Sequence, residues 1–127
     1  MTVDRNQHLP YAKRAIDTTP LRSLLNMAGP ADAMAIIAAF LQDLKTTEFG
    51  LDQAWNGPDC ASLRLHAHVL IALAGTVGDT ELQSVAQTLN ALARDEDLIK
   101  LDAIKEPVML GLAELITTLA AFAPTEE

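Results

Sequence analysis

The chain has 127 residues, half of them hydrophobic but only 4% aromatic, and a formal net charge of -8. That length encloses one core and leaves no room for a second full domain, which excludes a fused ATP-dependent kinase half. The acidic balance, with a pI near 4.7, argues against nucleic acid and anionic membrane surfaces as partners, because both would repel it.

The single Cys60 has no partner for a disulfide and no second sulfur for a metal site, which fits a reducing compartment. Charged or amide residues interrupt each apolar run before the roughly 18 residues of a membrane span. Met1 to Asn6 lacks the apolar stretch of a secretory signal. A soluble, cytoplasmic protein is the expectation.

In chain order, residues 1 to 9 are polar and read as a flexible N-terminus, and a short helix is expected from Pro10 to Ile16. Asp17, Thr18 and Thr19 then cap a segment that starts at Pro20 and runs to Gly29. After Gly29-Pro30, the spacing of Ala33, Ile36, Ile37, Phe40, Leu41 and Leu44 predicts an amphipathic helix extending to Trp55, with a kink or break expected near Gly50.

Asn56-Gly57-Pro58 stops that helix, Asp59 caps the next from Cys60 to Val77, and Gly78 ends it. Asp79 caps a further helix to about Arg94, so the two form a tight helical hairpin. Residues between Asp95 and Pro107 carry no clear pattern, and Val108 to Phe122 returns to helical spacing. The reading is therefore all-α: an antiparallel, up-down four-helix bundle with one or two short N-terminal helices, a single domain over residues 10 to 123 and a flexible tail from 124 to 127.

Chemistry concentrates on the helix from Cys60. At about 100° per residue, Leu63, Leu70, Leu73, Ala74 and Val77 fall on one side, roughly opposite His68, and must face the core. His66 lies about 160° from His68 and points inward, where a buried, hydrogen-bonded structural role suits it. His68 shares its face with Arg64, Ile71, Ala72 and Gly75, so its imidazole projects from the bundle wall, and the small Ala72 and Gly75 leave room for another protein to approach.

An imidazole that is neutral near pH 7 is a competent nucleophile. Phosphoryl transfer asks mainly for positioning and charge stabilisation, so a carrier needs no cofactor or metal of its own if its partner brings Mg²⁺ and an aspartyl phosphate. Arg64 is placed to steady the phosphoryl oxygens. A lone exposed histidine on a helix is, however, usually only a solvated polar residue.

The stretch Leu65-His66-Ala67-His68-Val69-Leu70-Ile71-Ala72-Leu73-Ala74-Gly75-Thr76-Val77-Gly78 resembles the histidine phosphotransfer (HPt) family. There, the phosphorylated histidine is followed by an apolar residue at the second place, usually Lys-Gly at the third and fourth, and a hydrophobic-Gly pair at the ninth and tenth. Leu70, Val77 and Gly78 match those places, and His68 takes that of the phosphoacceptor. The resemblance extends from Leu21 to about Phe122 through the order and lengths of the helices, including Phe40-Leu41-Gln42-Asp43 on the long helix and the turn Gly57-Pro58-Asp59.

Two places depart from the family. Ile71 stands where lysine is usual and Ala72 where glycine is usual, so the positive charge beside the phosphoryl group is missing and Ile71 instead offers an apolar docking contact. The resemblance implies that Arg94, with Asn90 one turn earlier, supplies phosphoryl support in place of that lysine. Arg94 also has a plain reading as a solvated arginine at a helix C-terminus.

The resemblance thus implies a monomeric phosphorelay carrier without autonomous kinase activity, whose partners are response-regulator receiver domains and hybrid sensor kinases. His68 is the phosphoacceptor; Arg64, Arg94 and Asn90 are the phosphoryl-supporting candidates; Leu65, Ile71, Ala72 and Gly75 are the docking candidates. Two alternatives stand beside it: a degenerate HPt fold that docks a receiver or kinase without being phosphorylated, and an acidic helical bundle used for oligomerisation. The acids at 95 to 97 and 126 to 127 read as solvated charge, and Met27, Met34 and Met109 as core filler.

Overall fold

A computed structural model describes residues 16–122, all of whose regular structure is helical. The five helices are α1 (Thr19–Ala28), α2 (Pro30–Asn56), α3 (Cys60–Val77), α4 (Thr80–Arg94) and α5 (Leu98–Ala120). The helix expected over 10 to 16, and both chain tips, lie outside the described residues.

Three of the helices start with the same device. The carboxylates of Asp59, Asp79 and Asp97 accept backbone N–H groups three residues on, from Ser62, Leu82 and Lys100, each at 3.1 Å. These bonds satisfy donors that a helix N-terminus otherwise leaves open. At the start of α1, Asp17 accepts the Thr19 N–H at 3.0 Å and Pro20 occupies the first turn.

Gly78, at φ 91°, closes α3 in a left-handed conformation. A side chain there would also run into the carbonyl oxygen of Asp17, so the position needs glycine for both backbone and space.

Several expectations change. Met27 and Met34, expected as core filler, are 84% and 53% exposed. The long helix α2 continues unbroken through Gly50 to Asn56. Its glycine lies directly beneath the ring of His66, where a Cβ would collide, so Gly50 is there for close packing between α2 and α3. The patternless stretch before Val108 is also helical from Leu98 onward, with Pro107 inside α5. The N–H that proline lacks would have met the carbonyl of Ala103, an exposed residue whose backbone water can reach.

Leucines fill the core, with Leu21, Leu44, Leu51, Leu63, Leu70, Leu82, Leu89, Leu101, Leu112, Leu115 and Leu119 each 0 or 1% exposed. Burial of each contributes on the order of 2 kcal/mol. Helices α2, α3, α4 and α5 each pack on two neighbours in the order α2–α3–α4–α5–α2, and α1 lies across α2 and α3.

Neighbours run antiparallel. Gly50 near the end of α2 meets His66 in the first half of α3, and Trp55 donates its indole N–H to the carbonyl of Leu101 at the start of α5, at 3.2 Å. At the opposite end, the guanidinium of Arg22 on α1 stacks 5.1 Å from the ring centre of Phe122.

The expectation that no apolar run reaches the length of a membrane span also changes, at the helix that carries both histidines. At 18 residues, α3 is the one described helix long and apolar enough by composition to cross a membrane, although Arg64, His66 and His68 interrupt it. Only 28% of it is buried, and the buried part packs on its neighbours.

Candidate functional site around His68

The helical phase inferred for α3 holds in its essentials. Leu63, Ala67, Leu70, Ala74 and Val77 are buried, Leu73 is half-buried, and His68 is exposed on the opposite wall. His66 is half-buried rather than enclosed. Its ring packs on Gly50 in a shallow cleft beside Phe49, Gln53 and Ser62, and makes no hydrogen bond among the described residues.

What stands opposite His68 follows from one contact. The side chain of Gln83 on α4 crosses to α3, lies over Gly75, and donates from Nε2 to the carbonyl of Ile71 at 3.3 Å. Asn90 follows Gln83 by seven residues, and His68 precedes Gly75 by seven. Seven residues are close to two turns, so each pair shares a helix face to within about 20°. In an antiparallel hairpin, equal steps keep partners level, which brings Asn90 to the turn of α4 level with His68.

Asn90 is half-buried, and its Oδ1 is fully buried without a hydrogen-bond partner among the described residues. A buried acceptor without a donor costs free energy, about 1–3 kcal/mol, which makes this atom an exception that needs a reason. By the same register, Arg64 stands one turn before His68 on α3, and Arg94 one turn beyond Asn90 on α4. Both are exposed. By helical phase, Arg64 and His68 on α3 and Asn90 and Arg94 on α4 lie toward the seam between the two helices.

The remaining candidates divide. Leu65 is 61% exposed and Ala72 is open, whereas Ile71 is half-buried against the core and its carbonyl serves Gln83, so it is a lesser surface contact than expected. Gly75 does not leave open room beside the histidine, because the Gln83 amide fills it.

The sequence reading passed over Val69 and Phe49, which are 39% and 67% exposed. Val69 follows Leu65 by one turn, a spacing that would have marked it, and Phe49 borders the same cleft as His66 and Ser62. Leu65 and Val69 thus present exposed apolar side chains one turn apart on α3, whereas Phe49 lies by the His66 cleft.

Charge near the site is mixed. Arg94 Nε lies 3.4 Å from Asp95 Oδ1, with both side chains more than half exposed. At the N-terminus of α3, hydrogen bonds from the N–H and hydroxyl of Ser62 hold the Asp59 carboxyl below its ordinary range. Among the described residues no three His, Cys, Asp or Glu side chains come close enough together to hold a metal ion.

Compared with known family models, with curated proteins and with solved structures, the chain finds no match in any of the three. Its function rests on this geometry.

Proposed function

We propose that the chain is a cytoplasmic phosphorelay carrier with an HPt-like bundle, taking a phosphoryl group on His68 from a receiver-domain aspartate and passing it to another receiver. The observation that carries the reading is the unpartnered Oδ1 of Asn90 on the turn of α4 that faces His68. Offered a donor by His68 Nδ1–H, it holds the tautomer whose Nε2 lone pair points to solvent, which is the arrangement a nucleophilic imidazole needs.

The transfer balances simply. The Nε2 lone pair attacks phosphorus, the bond from phosphorus to the aspartyl oxygen breaks, and the receiver's aspartate leaves as a carboxylate. Passing the group onward is the same step reversed onto a second aspartate. The receiver brings the Mg²⁺ that neutralises the phosphoryl oxygens, and Arg64 adds charge from this chain. Leu65 and Val69 offer the apolar contact that seats the receiver.

A second reading is favoured by that same apolar surface, which does not depend on the histidine: a binding module that docks receivers or kinases without being phosphorylated. One experiment separates the two. Incubation with radiolabelled phospho-receivers is expected to leave acid-labile, base-stable label on the wild type and none on His68→Gln. Label on both sinks the site assignment; stable complex without label on either supports docking alone.

A further inference from the structure

We infer that Asp95 is a competitor for Arg94, holding its guanidinium in the resting protein and yielding it to a phosphoryl group on His68. This rests on the carrier reading above. Of the three consecutive acids in the turn after α4, Asp97 is engaged in capping α5 through the Lys100 N–H, and only Asp95 touches Arg94. Glu96 sits in the left-handed region at φ 55°. The one basic side chain on the α4 stripe facing His68 is therefore tied to its neighbour in sequence.

The tie is weak by construction. Its separation is 3.4 Å, and the side chains are 58% and 63% exposed, so solvent screens the pair and little is lost when it opens. A phosphoryl group carries about two negative charges and three acceptor oxygens, against one charge on the carboxylate. Arg94 stands one turn from Asn90, and its side chain is long enough to span that turn of about 5.4 Å toward the His68 face. Once His68 is phosphorylated, the stronger anion takes the guanidinium. Asp95 thereby weakens the field that the unphosphorylated site offers, and Arg94 does in the charged state what a lysine at position 71 would do.

The test compares wild type, Asp95→Asn, Arg94→Gln, the double variant and His68→Gln. Phosphoramidate, a small donor that transfers its phosphoryl to imidazole with loss of ammonia, serves as the probe. Phosphohistidine is followed by ³¹P NMR, which reads its lifetime directly. Asp95→Asn is expected to lengthen the phosphohistidine lifetime about threefold, Arg94→Gln to shorten it, and the Asp95→Asn effect to vanish in the Arg94→Gln background. Unchanged lifetimes, or equal Asp95→Asn gains with and without Arg94, overturn the competition while label on His68 keeps the carrier reading. Absence of label from folded wild type overturns the carrier reading and the hand-over with it.

Discussion

Gln83 reaches across the α3–α4 hairpin and donates to the backbone carbonyl of Ile71 at 3.3 Å, through space that exists because residue 75 has no side chain. This contact reports the register that brings Asn90 level with His68.

Substitution at Gly75 tests that register. Gly75→Ala gains up to about 1 kcal/mol of helix propensity and loses a hydrogen bond of similar net worth, so its stability is expected to stay near wild type. Gly75→Leu drives Gln83 out entirely and separates the helices, at an expected cost of about 1–3 kcal/mol by urea denaturation. A Gly75→Leu protein as stable as wild type would show that the crossing does not set the helix spacing.

Gly50 and His66 form a second such pair. A Cβ at Gly50 meets the imidazole ring itself, so Gly50→Ala is expected to destabilise by about 1–2 kcal/mol despite the better helix former. Adding His66→Ala removes the obstacle, and the double variant should be more stable than Gly50→Ala alone. Thermal melts of the four proteins give the coupling directly.

Asn90→Leu separates stability from function. Replacing a half-buried side chain whose carbonyl oxygen has no partner by an apolar one is expected to raise stability by about 1 kcal/mol. On the carrier reading the same change removes the acceptor proposed to orient His68, so labelling by phospho-receivers should slow at least tenfold. Faster or unchanged labelling would show that Asn90 does not orient the imidazole.

Acid lability follows from the N-cap carboxylates. Hydrogen bonds from the backbone and side chain of Ser62 lower the Asp59 pKa, and those from Thr19 do the same at Asp17. Each folded-state pKa lies below the unfolded one, so the stabilisation is complete above the ordinary carboxylate value of 3.8 and disappears as pH falls through the lower, folded value. Melting temperature is expected to drop between about pH 5 and pH 2, and the drop should be shallower in Asp59→Ala, which starts lower at neutral pH.

Two backbone features in and before α5 oppose stability. Pro107 removes a helix hydrogen bond, and Glu96 holds φ 55° without being glycine. Pro107→Ala and Glu96→Gly are each expected to raise the melting temperature, the first by the equivalent of about 1–3 kcal/mol and the second by about 1 kcal/mol. A loss of stability in Pro107→Ala would mean that the bundle depends on the bend the proline makes.

Much of this architecture is written locally. Capping aspartates precede α3 and α4, Gly78 ends α3, and the leucine spacing separates the buried face of α3 from the face of His68. Nearest-neighbour chemistry and the 3.6-residue period decide such features, and both can be read along the chain. Gly50 and Pro107 misled because their usual effect on a helix is local, whereas here contacts from another helix, or an exposed carbonyl, absorb it.

The sequence by itself determined that the chain is helical and that His68 turns to solvent; His66, expected inside, is only half-buried. Only the tertiary structure decided what lies along the α3–α4 hairpin: Gln83 filling the space at Gly75, Asn90 level with His68 and carrying a buried oxygen without a partner among the described residues, and Arg94 beside Asp95. The reason is one of range. Helical periodicity fixes a residue's direction within its own segment, but which side chain meets it depends on how two segments slide past each other, and that register is settled by packing at positions many residues away.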